Sequence, residues 1–431
     1  MIGYACLALG VPGSQLKSTT LKHATDERLY SLIELNLSAL EVLIDYNIRQ
    51  GIKLFRISSD LIPFGSSVAK DLPWSERFAA DLERIGAKIH ASGMRVSMHP
   101  GQYTVLNSPD PQVAGRAALD LDYHNLVLDA LGTSPEHKII LHLGGVYGDK
   151  ITAKDRFIKR WQDLSPEIRS RLVIENDDRL FTIRDILDVS SETGIPVVYD
   201  NLHNAINPAD ASVTDLEWMT MASAIWQTAD GKPKIHYSQQ AVDKRPGAHS
   251  ATIAIAPFLD FYKDLPDVDV MLEVKDKNLS ALKCINCVSN RGMSALEAEW
   301  ARYKYVVLEH DPTVYQAVRE LLKSKGTYPA IEMYQLIEAA LASEPLPGHA
   351  VNAAQHVWGY FREQASPAEK RRWERTLQNY VDGTASLATV KRLLQKLAAK
   401  YDEDYLNVSY YFELYFNPRT PVRGAIGIRG D

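Results

Sequence analysis

The segment Leu172-Val173-Ile174-Glu175-Asn176-Asp177 decides the fold class, because a short β-branched apolar run leads directly into polar residues. Seven similar runs occur before residue 290, at 3–8, 53–58, 95–100, 138–145, 197–203, 233–239 and 269–274. Stretches with apolar residues at helical spacing alternate with them, over 28–50, 75–91, 116–131, 179–193 and 214–228. Eight such units predict an α/β fold, a (β/α)8 TIM barrel. No G-x-G-x-x-G of a doubly wound sheet follows any of these strands.

After about residue 290 the strand pattern stops and helix boundaries take its place. Asp311-Pro312 is typical of an N-cap followed by the first helical residue. The tetrad Ser366-Pro367-Ala368-Glu369 is a capping box, and 386–400 carries one apolar stripe. The sequence therefore predicts two domains, a TIM barrel over 1–290 and a C-terminal all-helical domain over 291–431.

The composition predicts a well-packed protein in a reducing compartment. The chain has 431 residues, of which 45% are hydrophobic and 24% charged, so it can bury a large core. Three cysteines are too few for a disulfide framework, and Cys284-Ile285-Asn286-Cys287 lacks a second pair for a zinc site. No apolar run reaches the roughly 18 residues that cross a bilayer, and the N-terminus lacks a basic leader, so we expect a soluble cytoplasmic protein.

The charge distribution excludes a protein that coats nucleic acid through an overall positive surface. The formal net charge is −6, with 30 Lys and Arg against 37 Asp and Glu before residue 290, and 18 against 17 after it. Broad neutralisation of phosphates requires the opposite balance. The acidic excess in the first part has two interpretations, a solvated surface or carboxylates that hold cations.

Polar side chains gather at the predicted carboxyl ends of strands three to eight, where the loops of a TIM barrel form its active site. These positions are His99, His142, Glu175, Asp200, His203, His236 and Glu273, with His249 in the loop after strand seven. Any one could be a structural histidine or a helix-capping carboxylate. Five of the nine histidines before residue 290 lie here, so together they predict a centre for Mn, Zn or Fe. Bridging by Glu175, Asp200 and Glu273 would allow two or three cations to act on one phosphate.

Two further features stand out near these ligands. Strand alternation places Lys234 on the same side as His236, inside the barrel, where a lysine needs a carboxylate partner or conversion by carbon dioxide to an anionic ligand. The ion pair is the simpler interpretation. Gln102 and Tyr103, directly after His99-Pro100-Gly101, could contact a base displaced from a duplex or form an ordinary turn.

The end of the chain carries an aromatic cluster with two possible roles. Its members are Tyr405, Tyr410, Tyr411, Phe412, Tyr415 and Phe416. They could form a platform on which bases stack, but a small core or a domain interface is the simpler interpretation. The segments 296–308 and 356–361 resemble a helical bacterial domain of unknown function, which implies no chemistry and leaves its partner open.

Five strings of this sequence together resemble the UV damage endonuclease family. In the order of the strands they are 55–61 (FRISSDL), 99–103 (HPGQY), 142–150 (HLGGVYGDK), 175–177 (END) and 236–238 (HYS). The resemblance covers about residues 1–290 and implies a (β/α)8 fold related to the apurinic endonucleases of the endonuclease IV type. It also implies up to three Mn²⁺ ions. The implied activity is nicking of double-stranded DNA immediately 5′ to cyclobutane dimers, 6-4 photoproducts and some abasic sites.

Carried over by position, the resemblance implies a role for each candidate residue. The eight strand-end residues would be the metal ligands, and the catalytic residues would be Glu175, Lys234 and His236, with Lys234 carboxylated. Gln102 and Tyr103 would probe the lesion from within the duplex, while Tyr4 would line the lesion pocket.

This sequence departs from the family at two positions. Ser67 stands where the family usually has histidine after strand two, and Ala8 where it usually has asparagine after strand one. Because the metal ligands are retained, we expect activity with an altered rate or lesion range. Two other functions stay open: a metal-dependent sugar isomerase or epimerase, and a non-catalytic protein that binds damaged DNA.

DNA binding by an acidic chain requires a local basic groove. Candidates near the loops after strands four and seven are Lys150, Lys154, Arg156, Lys159, Lys244 and Arg245. Each of them could equally be an ordinary solvated charge.

Overall fold

Eight parallel strands close into a barrel in sequence order, with β8 paired to β1. The computed structural model describes residues 1–324 and 326–412. The strands are β1 (Ile2–Ala5), β2 (Leu54–Ile57), β3 (Arg95–Met98), β4 (Ile139–His142), β5 (Leu172–Glu175), β6 (Val197–Asp200), β7 (Lys234–Tyr237) and β8 (Asp269–Leu272). The predicted TIM barrel and its eight strands are therefore confirmed. Each strand ends one to three residues before its predicted limit, because the buried apolar pattern continues into the loops over the rim.

Helices follow the strands along the chain. Up to residue 288 they are α1 (Asp26–Gln50), α2 (Trp74–Arg77), α3 (Ala79–Ser92), α4 (Pro111–Ala130), α5 (Lys150–Gln162), α6 (Pro166–Arg171), α7 (Ile183–Thr193), α8 (Asn201–Ile206), α9 (Asp215–Ser223), α10 (Ile255–Tyr262) and α11 (Asn278–Val288). The five predicted helices are present, although the one predicted over 75–91 is interrupted at Phe78.

Two helices begin at other residues than the sequence predicts, and hydrogen bonds from aspartate side chains to the backbone explain both differences. Helix α4 begins at Pro111 because Asp110 caps it, accepting a hydrogen bond from the backbone N–H of Gln112. Helix α7 begins at Ile183 rather than near 179, because the preceding Asp177 carboxylate already binds the backbone N–H groups of Arg179 and its neighbours. Both signals are present in the sequence as an Asp-Pro pair and an aspartate directly after a strand.

The barrel core depends on alternation along each short strand. Ile140, Val173 and Val198, on neighbouring strands, form one buried cluster with Trp226. The indole N–H of Trp226 donates to the backbone oxygen of Val197, so even the polar atom of this large side chain is satisfied. An apolar layer thus lies beneath the carboxyl ends of β4, β5 and β6.

The chain divides into two compact units. The first comprises Met1–Ala8, Gly13–Ile253 and Asp260–Leu282, and the second comprises Leu9–Pro12, Ala254–Leu259 and the described residues from Lys283 onward. The first unit ends at Leu282, and two short segments within residues 1–290 group with the second unit. The predicted domain boundary at residue 290 stays a prediction. None of the described helices is long and apolar enough to cross a membrane.

The second unit is helical throughout its described length after residue 290. Its helices are α12 (Met293–His310), α13 (Pro312–Leu321), α14 (Ala330–Leu341), α15 (Pro347–Trp358), α16 (Pro367–Val381), α17 (Leu387–Lys400) and α18 (Asp404–Asn407). The two predicted caps are confirmed: Asp311 caps α13, and Ser366 and Glu369 form the capping box of α16. Tyr410, Tyr411 and Phe412 are buried, which supports the core interpretation, whereas Tyr415 and Phe416 lie outside the described residues.

Replacement of Gly3 tests how closely the strands approach. A Cβ at this position would overlap the backbone oxygen of Leu54 on β2, its register partner. We expect Gly3→Ala to lower the free energy of unfolding by about 1–3 kcal/mol, measured by urea denaturation. The control is Gly115→Ala in α4, where no atom outside the backbone of that helix lies within 4 Å of the new Cβ and a gain of about 1 kcal/mol is expected. Equal effects of the two changes would contradict the close approach.

Candidate metal centre

The carboxylate of Glu175 lies at the centre of the polar cluster. Glu175 ends β5 and its side chain is 1% exposed. Its Oε1 is 2.6 Å from Nδ1 of His236, and its Oε2 is 3.1 Å from Nε2 of His99. His142 and His203 approach the same carboxylate, each with one ring nitrogen at 3.8 Å. Four imidazoles from different parts of the chain therefore surround one buried carboxylate.

The ring orientations of two histidines are set by backbone oxygens. Nδ1 of His99 lies 2.9 Å from the oxygen of Pro100, and Nδ1 of His203 lies 2.9 Å from the oxygen of Asn176. Because a carbonyl only accepts, Nδ1 is the donor in both rings. In the neutral ring this leaves the Nε2 lone pair available to a cation, as is usual for histidine ligands.

Asp200 has two functions that use different oxygens. Its Oδ1 caps α8 by accepting the backbone N–H of His203 at 2.8 Å. Its Oδ2 is buried and has no hydrogen-bond partner among the described residues. The helix-capping and ligand interpretations are therefore compatible, since the second oxygen is left for a cation.

Arg56 connects two of the predicted ligands from the side of β2. Its Nη1 is 2.7 Å from Oε1 of Glu273, and its Nη2 is 2.7 Å from Nε2 of His236. Because an arginine can only donate, Nε2 of His236 accepts and its Nδ1 donates to Glu175. Both nitrogens of His236 are thus engaged, and a cation reaches this ring only if one hydrogen bond is exchanged.

His249 is brought to the rim by the loop after β7. Gln240 and His249 form an antiparallel bridge, so the loop folds back on itself as a short hairpin. Nε2 of His249 then lies 3.7 Å from Oε2 of Glu273. This return explains how a residue well beyond the strand end joins the cluster.

The donor set fits divalent cations at two adjoining positions. His99, His142 and Glu175 form one group, and Glu175, Asp200 and His236 form another, with ligand atoms within 4.8 Å of one another in each. Glu175 is common to both groups, as expected for a bridging carboxylate. The buried Asp200 Oδ2 and His142 Nδ1 have no hydrogen-bond partner in the described part of the chain, so the cluster is incomplete in protein contacts alone.

Burial and mutual charge shift the pKa values of the cluster. Burial opposes ionisation of Glu175, but the nearby imidazoles, His236 foremost, hold the pKa of Glu175 well below its usual range. Burial lowers the pKa of His236 to about 4 and raises the pKa of Asp200 to about 7. Burial also acts against the charged form of His203, yet Asp200 and Glu175 raise the pKa of His203 to about 9. Metal-free His203 is therefore an imidazolium near neutral pH.

Lys234 corrects one expectation from the sequence. It faces the interior and is 1% exposed, but its Nζ has no hydrogen-bond partner among the described residues, so the predicted ion pair is absent there. Asp269, a carboxylate whose charge acts on Lys234, is already paired with Arg95 at 3.0 Å and with the Met1 ammonium at 2.7 Å. Burial, reinforced by Arg95, lowers the pKa of Lys234 well below its usual range.

Tyr4 is not brought to the site. Its side chain is fully buried, its hydroxyl donates to Oδ1 of Asn47 in α1 at 2.8 Å, and its ring contacts Phe55. Successive side chains of a strand point to opposite faces, and Tyr4 points outward from the barrel wall. The predicted place in a lesion pocket is therefore wrong for this residue.

The predicted probe residues Gln102 and Tyr103 lie on the surface of the barrel unit. Gln102 is exposed and Tyr103 is 69% exposed. Tyr103 lines a cavity of about 570 Å³, and Ser67 lies on its wall with its hydroxyl donating to the backbone oxygen of Phe64. Ser67 thus supplies a hydroxyl where the resemblance implies an imidazole. Ala8, the other departure, is buried.

The candidate basic residues divide into paired and unpaired groups. Lys150 and Lys154 form ion pairs with carboxylates of α7, each with a 2.9 Å contact. Arg156 donates to the backbone oxygen of Asn107 and lies over the ring of Tyr147. Exposed candidates that form no ion pair within the described ranges are Lys159, Lys244 and Arg245. These last three are the ones with charge available to a ligand.

Two residues that organise the site were given no role from the sequence. Arg56 could have been suspected from a charged residue between Phe55 and Ile57 inside a predicted strand. Asn176 donates to the backbone oxygen of Asp200 at 3.0 Å and accepts its N–H at 2.9 Å, which fastens the end of β6 to β5. An asparagine at a strand end does not by itself indicate these hydrogen bonds, because its partner lies on the neighbouring strand.

A closed parallel barrel with histidines and carboxylates converging at its strand ends defines a class, the (β/α)8-barrel enzymes with a candidate metal centre. Residues 2–300 match the family model described as UV-endonuclease UvdE, and the chain belongs to that family. It is accordingly a DNA repair endonuclease. Residues 304–416 match a family model described as a protein of unknown function, DUF1722, which agrees with the resemblance of the helical segments.

Individual relatives agree with the family assignment. A UV DNA damage endonuclease of Clostridium perfringens (strain 13 / Type A) is 40% identical over 349 residues, covering 79% of this chain and 83% of that protein. A UV DNA damage endonuclease of Bacillus mycoides (strain KBAB4) is 32% identical over 64% of this chain and 88% of its own length. The crystal structure of SacUVDE superimposes with a TM-score of 0.64 at 36% identity, covering 67% of this chain and 97% of that one.

Removal of Arg56 tests its role as the counter-ion of Glu273. In metal-free protein we expect Arg56→Met to lower the free energy of unfolding by about 3–5 kcal/mol, because Glu273 loses its buried counter-ion. Excess Mn²⁺ should reduce this loss, since a cation then neutralises the carboxylates. Urea denaturation with EDTA and with Mn²⁺ measures both values. Exposed Arg84 provides the control, and Arg84→Met should change stability little. A loss that is the same in EDTA and Mn²⁺ would contradict this account.

Proton release tests the charged state of His203. Because the pKa of His203 is about 9 and that of Asp200 about 7, His203 holds a proton at pH 7 and Asp200 is about half protonated, and a bound cation displaces both. We expect Mn²⁺ to release roughly one to two protons per protein at pH 7, and its affinity to rise from pH 7 to 9. A pH indicator in weak buffer measures the release. His203→Gln should release about one proton fewer, whereas the exposed-site control His356→Gln should match the unaltered protein. Equal release by both variants would contradict the assignment.

Proposed function

We propose that this enzyme nicks double-stranded DNA immediately 5′ to UV photoproducts, and at some abasic sites, with a cluster of divalent cations at the barrel rim. Mn²⁺ is the proposed metal, in up to three positions. The observation that carries the proposal is the bridging geometry of Glu175, whose two oxygens face two separate groups of donors. Relatives of this chain carry the name UV DNA damage endonuclease, which supports the choice of substrate.

The side chains around Glu175 would bind cations from two sides of its carboxylate. His99 and His142 present imidazoles to one oxygen of Glu175, while Asp200 presents an unpartnered Oδ2 on the other side. When bound, divalent cations would supply the positive charge that activates water and stabilises the phosphate during in-line displacement. His203, His249 and Glu273 complete the proposed ligand set. The products would be a 3′-hydroxyl and a 5′-phosphate.

Arg56 and Lys234 are buried beside the proposed ligands, and each has a proposed role in the centre. Arg56 holds Glu273 and His236 in position through two 2.7 Å contacts, so its proposed role is to orient ligands. Lys234 is buried without a hydrogen-bond partner among the described residues, and its lowered pKa favours the neutral amine. A neutral amine adds carbon dioxide to give an N-carboxylated lysine and one proton, which is the proposed state of Lys234.

Lesion recognition would use the exposed residues after β3. Tyr103 presents its ring to solvent beside the cavity of about 570 Å³, and Gln102 precedes it with an exposed amide. An aromatic ring can replace the stacking of a displaced base, and an amide can hydrogen-bond to an unpaired edge. Distorted dinucleotides are less costly to unstack than intact ones, which would make the probe selective.

The two alternative functions lack a supporting observation. Membership of the UV-endonuclease family argues against a sugar isomerase or epimerase. A non-catalytic damage-binding protein would not need the retained set of donors around Glu175. The cytoplasmic location stays a prediction.

Loss of the bridging carboxylate tests the proposed function directly. We expect Glu175→Gln to lower nicking of UV-irradiated supercoiled plasmid by about 10²–10³-fold or more in Mn²⁺, because one bridge serves both groups of donors. The rate of conversion to the open circular form is the measurement. Glu192→Gln, an exposed carboxylate on α7, is the control and should nick at the wild-type rate.

Two results would contradict the proposal. One is a Glu175→Gln protein that still nicks irradiated plasmid at the wild-type rate. The other is a wild-type protein that nicks irradiated and unirradiated plasmid equally, which would remove lesion specificity.

A further inference from the structure

The second unit holds a lysine against tyrosine rings without a carboxylate beside it. Nζ of Lys304, on α12, is 4.4 Å from the ring centroid of Tyr405 and 4.6 Å from that of Tyr305. Among the described residues Lys304 forms no ion pair, and the neighbouring charge that acts on it is the positive charge of Arg319. Lys304 is partly buried, so its ammonium has lost hydration without gaining a counter-ion.

The rings around Lys304 form a connected set. Tyr360 and Tyr405 lie parallel, with centroids 5.8 Å apart and an angle of 6° between the rings. Tyr305 meets Tyr360 edge-on, and their hydroxyl oxygens are 2.8 Å apart. Tyr315 lies under Arg319, whose Cζ is 5.6 Å from the ring centroid. We call this set the tyrosine–lysine surface; its members are Lys304, Tyr305, Tyr315, Arg319, Tyr360 and Tyr405.

The set lies at the edge of the core, because Tyr305 is buried at 6% exposure and the other members are more open. Tyr315, Tyr360 and Tyr405 are only partly buried and pack at the edge of the hydrophobic cluster of this unit. Arg319 is exposed and forms no ion pair in the part of the chain that the structure describes. Two like charges are therefore held near partly open aromatic rings, and an anionic ligand would relieve their repulsion.

The chemistry of the surface selects a ligand that is both anionic and planar. Phosphates would neutralise Lys304 and Arg319, and bases would stack on the tyrosine rings. A duplex hides its base faces within its own stack, whereas a single strand exposes them. We propose that the tyrosine–lysine surface binds single-stranded DNA. This site is separate from the donors around Glu175, which belong to the barrel unit.

Hydrogen bonding within the unit predicts little preference among bases. The hydroxyl of Tyr405 donates to the backbone oxygen of Ala301 at 3.0 Å, and the hydroxyls of Tyr305 and Tyr360 bond to each other. What remains for a ligand is mainly ring surface and positive charge, which every nucleotide can use. The surface should therefore bind different single-stranded sequences with similar affinity.

Fluorescence anisotropy with a labelled oligothymidylate of about ten nucleotides tests the proposal. The full chain is used with EDTA, without lesions in the DNA. We expect Lys304→Met to weaken binding about fivefold or more and to reduce the slope of log K against log salt by about 0.7, the value for one lost phosphate contact. Tyr405→Leu should also weaken binding about fivefold or more, from lost stacking.

The controls separate this surface from general charge and from misfolding. Lys396→Met removes an exposed lysine of α17 and should change affinity less than about twofold. Lys304→Arg keeps the charge and should restore binding to near the wild-type affinity. Arg319→Met alters an exposed side chain, so it reports on the surface even if Lys304→Met fails to fold.

Three outcomes would overturn the proposal. The first is that Lys304→Met and Arg319→Met bind as tightly as Lys396→Met. The second is that an abasic oligomer of the same length binds the unaltered protein as well as oligothymidylate does, which would remove the role of stacking. The third is that polyglutamate of equal charge competes as strongly as the oligonucleotide, which would favour an acidic protein partner.

The experiment is independent of the proposed endonuclease activity. Binding to oligothymidylate is measured without metal. The dependence of this binding on Lys304 could therefore be observed even if the protein failed to nick irradiated plasmid. Conversely, the dependence of nicking on Glu175 could be observed even if the second unit bound no single-stranded DNA.

Discussion

The buried carboxylate of Glu175 is the group on which the arrangement of the barrel rim depends. A charged carboxylate that is 1% exposed is stable only if hydrogen-bond donors or positive charges surround it closely. Here the donors come from the ends of β3, β4 and β7 and from α8, so four separate segments must end at the same height around one side chain. The register that pairs His142 with Glu175 across β4 and β5 is one part of this requirement.

The contacts that orient the candidate ligands also complete the fold. Asp200 caps α8 with one oxygen and leaves the other toward the cluster, and Asn176 fastens β6 to β5 through both of its amide atoms. Arg56 crosses from β2 to reach His236 and Glu273. Because each of these residues is held by a fold contact, the ligand atoms have little freedom to drift, which is what a pre-organised centre needs.

The two units of the chain use charge in different ways. In the barrel unit buried anions are compensated by imidazoles and by Arg56, while Oδ2 of Asp200 has no hydrogen-bond partner among the described residues. In the second unit a partly buried cation, Lys304, lies on aromatic rings with no anion among the described residues beside it. An uncompensated cation favours an anionic ligand, and a set of donors without partners favours a cation. Each arrangement costs free energy unless its ligand binds. The overall acidity of the sequence therefore says little about DNA binding, which depends on local arrangement.

The sequence by itself determined the barrel, its strand order and the identity of the strand-end donors, because short apolar runs and their terminal polar residues are local patterns. The capping of α13 and α16 was likewise readable from four or fewer consecutive residues. Only the tertiary structure decided that Tyr4 points away from the rim, that Asp269 is already paired with Arg95 instead of Lys234, and that Arg56 occupies both His236 and Glu273. These facts depend on side chains far apart in sequence, whose direction and competition for partners are fixed only when the barrel closes.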